Sequence, residues 1–298
     1  MKTVEFDSLL SLYERFPDEQ SCREYLEIQR WNGKPICPHC EHDRVYRFKD
    51  GRLFKCASCR KQFTVRVGTI FEESPISLKK WFLAMYLITA HKKGISSLQL
   101  SRDIKVTQKT AWFMLHRIRY ATTRKEFTED LQGIVEADET YIGGKRKRGQ
   151  KGRSRDKKTP VFGLVERKGQ ARLFPVDSVD AFTLMHFIRK NVDSRAVIMT
   201  DDFPTYRKLG REFEHLVINH SEGWYAKGVV HTQTIEGLWS LLKRGIVGIY
   251  HFVSSKHLHR YCDEFAYRYN TRDISDPERF SFTLAQCRGR LQYKQLTQ

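Results

Sequence analysis

The sequence predicts an α/β protein in which a small cysteine-bearing module and a helical segment precede a mixed sheet. Three observations carry this expectation. Four of the seven cysteines fall in two Cys-x-x-Cys pairs, Cys37/Cys40 and Cys56/Cys59. Between Ile76 and Arg119 the apolar residues recur at helical spacing. From Ile134 onward, short apolar runs alternate with amphipathic stretches, the pattern of strands and helices taken in turn.

Composition narrows the class. The 298 residues suffice for two or three domains, and 53 basic against 35 acidic side chains leave a net charge of +18. Such an excess points to a polyanionic partner, nucleic acid or membrane surface. No run approaches the roughly 18–20 apolar residues that a membrane span needs. Met1 to Leu12 shows neither the basic start nor the apolar centre of a secretory signal. The expectation is a cytoplasmic protein, nucleoid-associated, with double-stranded DNA as partner and no membrane. Paired cysteines in that setting read as metal ligands. Cys22, Cys262 and Cys287 lack such spacing and read as buried thiols.

Four segments are expected: N-terminal helices over 1–35, a ribbon over 36–67, a helical region over 68–128 and a catalytic domain over 129–298. In the first, Phe6, Leu9, Leu10, Tyr13 and Phe16, then Tyr25, Leu26, Ile28 and Trp31, imply two short helices parted at Pro17. In the second, fifteen residues separate the cysteine pairs, and Lys49-Asp50-Gly51 joins two alternating runs. Asp-Gly between such runs is a hairpin signal. Two knuckles joined by a hairpin make a four-thiolate zinc ribbon, and four thiolates leave no open position, so the zinc is structural.

In the third segment a helix is expected over 76–91, burying Trp81, Phe82, Met85, Tyr86 and Ile88. After 94–104 a further helix, capped by Thr107, faces Ala111, Leu115 and Ile118 inward and exposes Gln108, Lys109 and Thr110. A helix-turn-helix presents its second helix to the major groove in this way; an ordinary helical hairpin is the alternative.

The fourth segment opens with a strand at Ile134. Hairpin strands follow over 160–165 and 171–176, then a helix over 180–191, a strand over 195–201 and a short helix over 206–213. A final strand over 216–219 precedes a long helix over 231–246. This is the ribonuclease-H-like order of a mixed sheet. Three acids end or open its elements: Asp138 on the first strand, Asp201 63 residues later, and Glu236 35 residues beyond that. Phosphodiester chemistry needs an activated nucleophile and a stabilised leaving oxygen, which two divalent ions on carboxylates supply. An all-oxygen set favours Mg²⁺ or Mn²⁺ over zinc. Glu139 and Asp202 stand beside two of these acids as alternatives. Lys243, two turns after Glu236, shares its helical face and is a candidate phosphate contact. Between Gly144 and Thr159 lie nine basic residues and one acid, including Lys145, Arg146, Lys147, Arg148, Lys151, Arg153 and Arg155. Opening beside Asp138, this stretch is expected to touch the phosphate backbone.

The residues resemble the zinc-ribbon insertion-sequence transposases of bacteria and archaea, which have a DDE-type catalytic domain. The matching stretches are Arg30-Trp31 before Cys37-Pro38-His39-Cys40, Cys56 to Phe63, Gly68 to Phe71, Lys109 to Arg119, Asp138 to Lys145 and His231 to Gly245. Tyr261, Glu264-Phe265, Arg268, Asn270 and Arg272 continue it. The resemblance implies cleavage at the ends of a mobile element and joining of 3′-hydroxyls to target DNA, by a homodimer or higher assembly on DNA. Similar proteins carry Asn where this chain has Gln233, so Gln233 stands beside Glu236 as a candidate for the third position. A DNA-binding regulator derived from a transposase and a nuclease without strand transfer are the competing classes.

Overall fold

The computed structural model describes residues 6–123, 128–143, 158–218 and 231–297. In chain order the elements begin with α1 (Leu9–Arg15), α2 (Glu19–Trp31), β1 (Val45–Arg47), β2 (Leu53–Cys56) and β3 (Gln62–Thr64). Then come α3 (Leu78–Ala90), α4 (Ser97–Ile104), α5 (Gln108–Thr122), β4 (Ile134–Ile142), β5 (Thr159–Glu166) and β6 (Ala171–Pro175). They are followed by α6 (Ala181–Asn191), β7 (Val197–Asp201), β8 (Glu214–Ile218), α7 (Gln233–Gly245), α8 (Ser255–Asn270), α9 (Asp276–Ala285) and α10 (Lys294–Thr297). No helix among the described residues is long and apolar enough to cross a membrane.

The chain divides into two compact units, residues 1–124 with 273–298, and residues 125–272. The expected catalytic domain over 129–298 therefore differs from the structure at its end, where 273–298 packs within the first unit. The reason is apolar: Phe280, on α9, is fully buried against Phe6, Phe16 and Phe82 at ring-centroid distances of 5.5, 6.3 and 5.4 Å.

In the first unit, α1 and α2 each open on a capping box, at Ser8 and Asp18, with Pro17 between them where the sequence places the break. The ribbon hairpin turns at Gly51, whose φ of +66° suits the left-handed turn position. β3 adds a third antiparallel strand, so the ribbon sheet runs β1-β2-β3. Trp31, Phe54 and Phe63 seal its inner face. Cys22 and Cys287 here, and Cys262 in the second unit, are buried as expected, and burial pushes the Cys22 thiol up to about 12. Thr107 caps α5 by accepting from the Thr110 N–H at 3.1 Å, and Ala111, Leu115 and Ile118 are buried.

The second unit holds a five-stranded sheet in the order β6-β5-β4-β7-β8. β4, β5 and β6 pair antiparallel, whereas β7 pairs with β4, and β8 with β7, in parallel. That is the ribonuclease-H-like arrangement. The alternation of β4 sorts the faces. Val135 and Ala137 pack with Phe162 and Leu164 of β5 against Leu184 and Ile188 of α6. The opposite face carries Ile142 with Val161 and Val165 against Ile235, Trp239 and Leu242 of α7 and Phe265 of α8. Gly245 lets α7 and α8 cross closely, since a Cβ there would meet Phe265 Cζ at 2.1 Å. The short helix expected over 206–213 is a 3₁₀ helix at Pro204–Arg211, and the last strand starts two residues earlier than expected.

Replacing Phe280 with Ala should destabilise the first unit by about 3–5 kcal/mol, read by chemical denaturation.

Candidate active site and metal-binding cysteines

The four cysteines converge. Their sulfurs all lie within 4.8 Å of one another, with Cys37–Cys59 at 3.7 Å and Cys40–Cys56 at 3.6 Å. A tetrahedral Zn²⁺ with Zn–S bonds of ~2.3 Å implies sulfur–sulfur edges of ~3.8 Å, so the set fits zinc closely. Burial pushes the Cys56 thiol up, yet the Cys59 and Ser58 N–H groups and the Cys40 and Cys59 sulfurs outweigh it and bring it down to about 6. Thiolate, the form a metal binds, is thereby favoured.

The acids are arranged by strand register. β4 and β7 pair in parallel through Ile134↔Val197, Val135↔Ile198 and Glu136↔Met199. Asp138 lies two residues beyond Glu136 and Asp201 two beyond Met199. Both acids thus stand at the same level of neighbouring strands on the face that α7 covers. Glu236 lies in the first turn of α7 and receives the Thr232 hydroxyl at 3.1 Å. Asp201 Oδ1 accepts from the Phe203 N–H at 3.1 Å. Burial raises Asp138 to about 6, the Trp239 indole and Glu139 N–H groups pull it back, and the charges of Asp201 and Glu236 raise it again. Asp138 therefore feels the like charge of both other acids. They are not drawn together as tightly as the cysteines, which form the one close group of three or more ligand-type side chains among the described residues. The donors are all oxygens, a set suited to a hard divalent ion such as Mg²⁺ or Mn²⁺.

The alternative acids are separated from this face. Glu139 points to the other side of β4, where the Tyr206 hydroxyl donates to its Oε2 at 2.8 Å, and Asp202 is exposed. Gln233 is exposed as the first residue of α7, and Lys243 is exposed two turns beyond Glu236. Gln108 and Lys109 are exposed and Thr110 half-buried in the first turn of α5. Lys145, Arg146, Lys147, Arg148, Lys151, Arg153 and Arg155 lie outside the described residues.

Sequence reasoning missed Glu136. Its side chain is fully buried, and three donors meet it: Arg167 Nε at 2.6 Å, Thr234 Oγ1 at 2.9 Å and the Ile235 N–H at 2.9 Å. Thr232, at the helix N-cap position, makes no side-chain cap, so Glu136 serves that end of α7 from the neighbouring strand. Arg167 also donates to the His231 carbonyl at 2.6 Å and approaches its Nδ1 at 2.9 Å. The Gln233 N–H points at the same Nδ1 from 3.4 Å. Facing two donors, Nδ1 is the acceptor nitrogen, and its 3.3 Å approach to Glu136 is not an ion pair. The signal in the sequence was period two: Glu136 shares the face of Asp138 inside an apolar strand.

Residues 130–270 match the family model of the ISXO2-like transposase domain, and residues 17–62 match the transposase zinc-ribbon domain. An uncharacterized protein in transposable element ISH50 of Halobacterium salinarum is 30% identical over 253 residues, covering 77% of this chain and 83% of that protein. The chain belongs to the ISXO2-like transposase family. Among solved structures, the Mos1 strand transfer complex is 15% identical with a TM-score of 0.24, covering 67% of this chain and 76% of that one. The Mos1 transposase paired-end complex with left transposon end is 16% identical with a TM-score of 0.27, over 65% and 75%. Overlaps that loose add nothing to the sheet order itself.

Two outcomes follow from this geometry. Glu136→Ala strands a half-buried guanidinium and the first donors of α7, and should cost about 3 kcal/mol in denaturation of the second unit. Elemental analysis should find about one zinc per chain, lost in Cys37→Ser or Cys59→Ser while the sheet unit keeps its fold.

Proposed function

We propose that the chain is a DDE-type DNA transposase, which cleaves phosphodiester bonds at the ends of a mobile element and joins 3′-hydroxyls to target DNA. The observation that supports this best is the shared level of Asp138 and Asp201 on adjacent parallel strands, with Glu236 entering from the helix laid over them. Asp138, Asp201 and Glu236 would hold Mg²⁺ or Mn²⁺. Bound there, divalent ions supply an activated water or 3′-hydroxyl and neutralise charge on the leaving oxygen. The chain's own part is to orient three carboxylates, on rigid elements, where a phosphate can reach them. Lys243, on the exposed side of α7, contacts a neighbouring phosphate. The pair α4 and α5 serves as the helix-turn-helix, with Gln108, Lys109 and Thr110 offered to the major groove. The basic stretch over 145–158 adds backbone contacts near Asp138.

The test is a strand-transfer assay in Mg²⁺ beside a DNA-binding assay. Asp138→Asn, Asp201→Asn and Glu236→Gln should bind DNA normally and lose cleavage and joining. Gln233→Ala should keep partial activity, since a neutral amide is a weaker ligand for a hard cation. A dead Gln233→Ala protein beside a near-normal Glu236→Gln protein would move the third position to Gln233. Replacing Lys145, Arg146, Lys147 and Arg148 with Ala should flatten the dependence of log affinity on log salt by roughly one unit per lost phosphate contact; an unchanged slope would remove this stretch from the interface.

A further inference from the structure

Glu136 and Asp138 share one face of β4, two residues apart, yet they are partnered in opposite ways. Glu136 receives a guanidinium, whereas Asp138 Oδ2 receives the neutral Trp239 Nε1–H, at 2.8 Å. The indole reaches that oxygen because the strand beside it carries no side chain. Gly163 of β5 is the register partner of Asp138. A Cβ built on Gly163 would lie 2.6 Å from both Cζ2 and Cη2 of Trp239 and 3.1 Å from Ile235 Cδ1. The backbone at Gly163 is not in the left-handed region, so its conformation does not call for glycine. The close approach of the indole does.

We propose that Trp239 is a positioning residue for the carboxylate of Asp138, and that Gly163 is the recess that admits it. With Oδ2 engaged by the indole at 2.8 Å, the plane of the carboxylate is set, and Asp138 would meet a divalent ion in that one orientation. A neutral donor suits this role, because it orients the ligand without adding a positive charge that would compete with the cation. The same bond ties two candidate ligands together. Trp239 follows Glu236 by three residues on α7, so fixing the indole against β4 also fixes the helix turn that carries Glu236. The inference rests on the proposed reading of Asp138 as a metal ligand.

The experiment uses the full chain with Mn²⁺ alone as the probe. Free Mn²⁺ is followed by electron paramagnetic resonance, and affinity for duplex DNA in chelator and the melting temperature are measured in parallel. Trp239→Phe keeps a ring over Gly163 but deletes the N–H; Gly163→Ala keeps the indole but displaces it. Each should weaken Mn²⁺ binding by roughly tenfold or more, while DNA affinity stays within about twofold. The double variant should be little worse than either single one, because both act through one contact. Asp138→Asn should abolish tight binding. If Asp138→Asn abolishes it while Trp239→Phe and Gly163→Ala bind Mn²⁺ like the parent, the positioning role is wrong and the ligand reading stands. If Asp138→Asn binds Mn²⁺ unchanged, the ligand reading itself fails and takes the inference with it.

Discussion

The second unit depends on one buried carboxylate. Glu136 is out of solvent in the middle of a sheet, a position that costs several kcal/mol unless the charge is met. Arg167, Thr234 and the Ile235 N–H meet it together. Because two of these donors belong to the start of α7, neutralising the charge and seating the helix are the same event. The helix dipole adds to the attraction, since an anion at the N-terminal turn is favourable. Once α7 is seated there, Trp239 falls one turn further along, over Gly163, and Leu242 and Gly245 meet the apolar face shared with α8.

That arrangement divides two neighbouring acids by role. The guanidinium of Arg167 is committed to Glu136, so Asp138 is left with two neutral donors, the Trp239 indole and the Glu139 N–H, and with the negative charges of Asp201 and Glu236. Burial and like charge together hold Asp138 up at about 6. A carboxylate in that condition favours a positive neighbour, which is what the proposed divalent ion would supply. The cysteine cluster is the contrasting case. Its sulfurs all lie within 4.8 Å of one another, because hairpin backbone and not charge balance sets their spacing.

Much of this was legible in the sequence, for reasons that differ by element. The knuckles were readable because a Cys-x-x-Cys turn is local and its partner pair is fixed by a short hairpin. The strands β4 and β7 were readable as apolar runs ending in an acid, whereas their parallel pairing, which sets Asp138 and Asp201 at one level, comes from the structure. The role of Glu136 was not readable: within an apolar strand nothing local distinguishes an acid that caps a distant helix from one at a strand end. Its partners lie 31 residues away at Arg167 and 98 and 99 residues away at Thr234 and Ile235. The third ribbon strand, Gln62–Thr64, escaped notice because it follows the second cysteine knuckle with no Asp-Gly or similar turn pair to mark a hairpin. The tail from 273 to 298 was assigned by continuity to the preceding unit, whereas Phe280 belongs to an aromatic cluster whose other members lie in the first hundred residues.

The central claim is that Asp138, Asp201 and Glu236 share one divalent site. Its most direct test is anomalous diffraction from crystals of the full chain grown with Mn²⁺ and a duplex carrying the element end. The account predicts a manganese peak bound by Asp138 and Asp201, at the roughly 2.1 Å expected of a small oxygen-ligated dication, with Glu236 completing the site. A peak held by other side chains, with Asp201 or Glu236 turned away from it, would contradict the account.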